Sequence, residues 1–87
     1  MTLSIQLTEE DIDKTLTCTL DIFSPNNDSR LQLLHNGAYT AVDVERNGDF
    51  QCVTVSKVIV NPEGVELFVN TLGNLDCYVD NINIKVQ

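Results

Sequence analysis

Two Asn-Gly pairs, Asn36-Gly37 and Asn47-Gly48, interrupt the alternating apolar runs between Leu31 and Val60. Asn-Gly is the strongest short-range hairpin signal, because a type I′ turn needs positive φ at both central residues. Two such turns in succession predict a three-stranded meander. A two-residue turn at Asn36-Gly37 pairs His35 with Ala38, Leu33 with Thr40 and Leu31 with Val42. One at Asn47-Gly48 pairs Arg46 with Asp49, Val44 with Gln51 and Val42 with Val53. Residues directly opposite each other share a face. One face therefore collects Leu31, Leu33, Thr40, Val42, Val44, Val53 and Val55 and reads as the core side. The other, mixed face collects Gln32, Leu34, Tyr39, Ala41, Asp43, Glu45, Phe50, Cys52 and Thr54. A one-residue slip in either turn would destroy this agreement.

The flanking segments carry the same period of two. Leu3, Ile5 and Leu7 alternate with polar residues and predict a first strand. Thr8 followed by Asp11 has the form of a helix N-cap with an acid three residues on, too poor in apolar residues for more than one turn. Lys14 to Phe23 is the cleanest strand, with Leu16, Cys18, Leu20 and Ile22 facing one way and Thr15, Thr17, Thr19 and Asp21 the other. Ser24 to Ser29 is dense in turn formers. Val58 and Val60 are apolar on the opposite parity from Val53 and Val55, which predicts a bulge near Ser56-Lys57 or cover on both sides. Asn61-Pro62-Glu63-Gly64 reads as a type I turn leading into a strand at Val65 to Val69, and Thr71-Leu72-Gly73-Asn74 as another turn. In the last run, Leu75, Cys77 and Val79 share one parity and Ile82, Ile84 and Val86 the other. The switch at Asp80-Asn81 predicts a bulge or kink.

About seven short strands with turns every eight to twelve residues argue for an all-β chain, a small antiparallel β-sandwich or partly open barrel built on the central meander. The 87 residues read as one domain, 1–87. The formal net charge is −8, and the five basic residues (Lys14, Arg30, Arg46, Lys57 and Lys85) are scattered singly. Direct binding to nucleic acid or an anionic membrane needs the opposite balance. Basic protein partners or cations fit it. The N-terminus has no basic n-region and no run has the length of a membrane span, which points to the cytoplasm. Cys18, Cys52 and Cys77, odd in number, widely spaced and each within an expected strand, read as buried reduced thiols.

Catalytic and metal-binding patterns are thin. Asp11-Ile12-Asp13-Lys14-Thr15 matches the D-x-D-x-T pattern of haloacid dehalogenase phosphotransferases. The preceding Thr8-Glu9-Glu10 is not a buried parallel strand, and the chain is too short for that α/β fold. Glu9, Glu10, Asp11 and Asp13 supply hard oxygen ligands for calcium, without EF-hand spacing. His35, the single histidine, reads as a solvated residue at a hairpin tip rather than a catalytic base. Asn27-Asp28-Ser29 has the glycosylation pattern, idle without secretion. No cofactor and no enzymatic activity are expected.

The remaining functional signal is a surface. Asp43, Glu45 and Asp49 gather around the second expected hairpin, beside Tyr39 and Phe50 on the mixed face. Acids among exposed aromatics complement a basic, partly apolar partner. The leading expectation is a non-catalytic acidic protein-binding module. In its most specific form it is an inhibitor whose carboxylates occupy a nucleic-acid-binding site, a profile of composition shared with small phage proteins that act on host systems. The alternatives are a structural β-sandwich subunit of a homo-oligomeric virion or appendage, pairing through edges at Leu3 to Leu7 or Ile82 to Val86, and a calcium- or small-ligand-binding β-module.

Overall fold

The computed structural model describes residues 1–73 and 77–87. Alternation drives seven strands: β1 (Thr2–Ile5), β2 (Thr15–Ser24), β3 (Ser29–His35), β4 (Ala38–Val44), β5 (Asn47–Val58), β6 (Val65–Thr71) and β7 (Tyr78–Val86). They form two antiparallel sheets, one ordered β1-β6-β3-β4 and the other β5-β2-β7. The predicted antiparallel β-sandwich is therefore the fold. Its core lies between the sheets. Leu16, Cys18, Leu20 and Ile22 from β2 meet Leu31 and Leu33 from β3 and Leu67 from β6, all with no exposed surface. Each large aliphatic side chain so buried contributes about 1.5–3 kcal/mol. No helix among the described residues is long and apolar enough to cross a membrane.

The first hairpin forms in the predicted register, pairing His35 with Ala38, Leu33 with Thr40 and Leu31 with Val42. Asn36 and Gly37 take φ of 53° and 73°, the positive values a type I′ turn demands. Thr8 and Asp11 also meet as read: a single 3₁₀ turn, Glu9–Asp11, follows β1, and the Asp11 carboxylate accepts the Thr8 amide at 2.9 Å.

The second hairpin does not form. Neither Asn47 nor Gly48 has positive φ, and both lie inside β5. The chain changes sheets across Glu45-Arg46, and β5 pairs with β2 instead of β4. Thus Val42 does not pair with Val53, nor Val44 with Gln51, and there is no three-stranded meander. The face assignment is nonetheless correct. Leu31, Leu33, Val44, Val53 and Val55 are buried and Val42 packs on them. They meet across the interior of the sandwich rather than along one sheet. Inward parity is the same for a hairpin partner and for a strand in the opposing layer, so alternation could not distinguish them.

Irregularities fall elsewhere than expected in β5. Its ladder with β2 runs unbroken from Gln51–Ile22 to Val58–Thr15, with no bulge at Ser56-Lys57. Ile59 continues the inward parity with no exposed surface, and Val58 and Val60 are simply exposed. The break lies at the other end, where three residues, Gly48 to Phe50, oppose Phe23 alone. In β7 the predicted switch is present: the register shifts between Thr19 and Asp21 of β2, and Asn81 takes φ of 53°. Ile84 and Val86 pack toward the core, whereas Ile82 is exposed. Leu72 and Gly73 form a bend as expected, and the readings for Asn74 and Leu75 lie outside the described residues.

Candidate functional site

The expected surface is divided by the sheet change. Tyr39 and Asp43 alternate outward on β4, on the outer face of the four-stranded sheet. The Tyr39 ring lies 6.2 Å from that of Phe68. Asp43 accepts the Nε–H of Arg30 at 2.6 Å. That charge-assisted bond holds the Asp43 carboxyl below its ordinary range. Phe50 stands on the opposite side of the molecule, on the outer face of the three-stranded sheet. Glu45 and Asp49 flank the crossing between the two sheets, both exposed. Tyr39 and Phe50 therefore cannot belong to one contiguous site.

A different grouping replaces it. Phe50 of β5, Phe23 of β2 and Tyr78 of β7 form a row across all three strands. Ring centroids are 5.3 Å apart for Phe50–Phe23 and 6.1 Å for Phe23–Tyr78. These distances suit offset aromatic contact. The row is nonetheless open to water, with Phe50 53% and Tyr78 63% exposed. Sequence reading missed Phe23 and Tyr78. A usable signal existed: Phe23 continues the outward parity of Thr15, Thr17, Thr19 and Asp21.

The register orders the rest of this face. Asp21 sits beside the row, opposite Cys52 on β5 and Asp80 on β7. Like charges directly opposite in a sheet are unfavourable. Here Nδ2 of the bulge residue Asn81 donates to Asp21 at 2.8 Å. Further along, the Thr19 and Thr54 hydroxyls meet at 3.2 Å, as do those of Thr17 and Ser56. Lys85, opposite Thr17, adds a cation to this face. The face thus grades from aromatic through acidic to hydroxyl-rich.

His35 is not the solvated tip residue its position suggested. It is 1% exposed and engaged at both ring nitrogens. The Val60 amide donates to Nε2 at 3.0 Å, and Nδ1 lies 3.1 Å from the Gly64 carbonyl. It ties the β3–β4 tip to the Asn61–Gly64 turn. A ring so held packs as a core histidine and presents no free nitrogen.

The thiols also divide. Cys18 is buried, and burial pushes its thiol up to about 11. Cys52 is exposed and Cys77 half-buried, just ahead of β7, so the expectation of three buried thiols in strands holds for Cys18 alone. Among the described residues no three His, Cys, Asp or Glu side chains converge as a metal-holding group. The Glu9 to Asp13 acids do not form one, and Asp11 is occupied with Thr8. Asp13, the second acid of the D-x-D-x-T match, lies in a turn with φ of 72°.

No family model, curated protein or solved structure matches the chain. The chain's own geometry defines an antiparallel β-sandwich with an open aromatic and acidic face.

Proposed function

We propose that the chain is a non-catalytic protein-binding module that engages a basic, partly apolar surface of a partner through the outer face of its three-stranded sheet. The row of exposed Phe50 and Tyr78 around half-buried Phe23 carries this reading. Covering apolar surface yields about 25 cal/mol per Å², and aromatic anchors dominate interface energetics. Asp21 and Asp80 beside the row, with Glu45 and Asp49 at its Phe50 end, offer carboxylates to arginine or lysine. The net charge of −8 steers a basic partner in the same direction. In its most specific form the module is an inhibitor whose carboxylates occupy a site that otherwise holds nucleic-acid phosphates.

The test is affinity capture from the native host lysate at increasing salt. Wild type runs beside Phe50→Ser/Tyr78→Ser and Asp21→Asn/Asp80→Asn variants. A protein retained by wild type, lost with the aromatic variant and less salt-sensitive with the charge variant supports the reading. Retention indifferent to both variants sinks it.

A second reading, a structural subunit that assembles with itself, is favoured by one observation: β7 is an edge strand. Light scattering on the purified chain discriminates, since a strict monomer at high concentration removes it.

A further inference from the structure

Strand β7 is bonded along one side. Its ladder runs to β2, from Val86–Leu16 to Tyr78–Phe23, and no described strand lies on its other side. Just beyond its end the bonding phase is set by Thr15 and Gln87, whose amides donate to each other's carbonyls at 2.8 and 3.0 Å. Bonded and non-bonded pairs alternate in an antiparallel ladder. Lys85 and Asn83 therefore turn their N–H and C=O toward β2. Ile84 and Val86 turn theirs to the open edge.

The other edges are less available. β1 has four residues, and β4 and β5 are edges joined by the short Glu45-Arg46 crossing and in contact with each other. Along β7, Ile84 and Val86 pack inward yet remain half-exposed, and Ile82 is 43% exposed. A further strand would cover them. Its outward side chains would run past Tyr78 and Asp80 at one end and Lys85 at the other.

We propose that β7 receives an extended segment of a partner protein as an added strand. The segment carries β-branched aliphatics against Ile84 and Val86, and arginine or lysine where it passes Asp80, with Asp21 one strand further in. This rests on the protein-binding reading above and names the form of its partner. Edge amides supply affinity and alternate side chains supply selectivity. Charge selects the occupant. A second copy brings another −8 to the edge, whereas a basic segment is attracted to it.

A blocked peptide alternating arginine and valine is the probe, read by backbone NMR and hydrogen exchange. The Ile84 and Val86 amides are expected to gain protection on binding. The same peptide with N-methylated valines, equal in charge but unable to donate, should bind about tenfold more weakly or less. Val86→Pro removes an edge donor without breaking a bond to β2, and should weaken the unmodified peptide about tenfold. Thermal melting verifies that this variant folds, and the wild-type amide protection stands without it. No binding by wild type overturns the proposal. Equal binding of the N-methylated peptide, abolished by Asp21→Asn/Asp80→Asn, overturns the added strand and leaves the face reading intact. A free dimer that Val86→Pro converts to monomer assigns the edge to a second copy and likewise overturns it.

Discussion

The Val60 amide donates to Nε2 of His35, and this contact decides the state of the ring. An Nε2 that accepts carries no proton, so the neutral imidazole holds its hydrogen on Nδ1 and donates it to the Gly64 carbonyl. One side chain thereby satisfies two backbone groups from the β5–β6 connection. His35→Ala leaves both without partners and opens a void. The expected loss is about 2–4 kcal/mol in denaturant unfolding. A loss under about 0.5 kcal/mol would mean the clip carries no stability.

The two Asn-Gly pairs should respond differently to alanine. Gly37 has φ of 73°, a region that costs a side chain about 1 kcal/mol. Gly48 lies outside that region and a Cβ there meets nothing within 4 Å. Gly37→Ala is expected to destabilise by about 1 kcal/mol and Gly48→Ala to be neutral or slightly stabilising. Equal losses at both positions would restore the second hairpin.

The Arg30–Asp43 pair makes a pH prediction. The Arg30 hydrogen bond holds the Asp43 carboxyl low in the folded state. Its contribution is therefore present above the unfolded carboxyl's pKa and is lost as pH falls through the lower folded value. Both side chains are exposed, 38% and 68%, so the effect on stability is small. NMR titration should find Asp43 below the ordinary aspartate range, returning to it in Arg30→Ala. An unchanged titration in that variant would show that the bond does not persist in solution.

The cysteines should separate kinetically. At mildly alkaline pH a thiol reagent is expected to modify Cys52 quickly and Cys18 only on unfolding. Burial raises the Cys18 pKa from 9.0 to about 11. Its neutral thiol therefore favours the fold fully below pH 9, and this contribution fades as pH rises toward 11. Mass spectrometry of the native protein after brief labelling reads the order. Prompt modification of Cys18 would contradict its burial.

Much of the strand pattern was legible because it is local. Leu16, Cys18, Leu20 and Ile22 announce an inward face through alternation alone, and all four have no exposed surface. The bulge at Asn81 shows as a change of parity. The candidate surface was only half legible. Phe50 belongs to it, but its neighbours Phe23 and Tyr78 lie 27 and 28 residues away along the chain, joined only by the pairing of β5, β2 and β7. Placing Tyr39 and Asp43 on one face with Phe50 requires a turn at Asn47-Gly48 that does not form.

The sequence alone determined which way most side chains point and where one hairpin closes, since pleating and positive-φ turns are properties of a few adjacent residues. Tertiary structure decided which strands are neighbours. Val42, Val44, Val53 and Val55 face inward whether β4 and β5 pair in one sheet or pack from two. Covering the apolar face of β2 requires an opposing sheet, and β5 joins β2 rather than β4. The same folding buries His35, because its two partners, Val60 and Gly64, arrive from a turn that the local sequence around His35 does not contain.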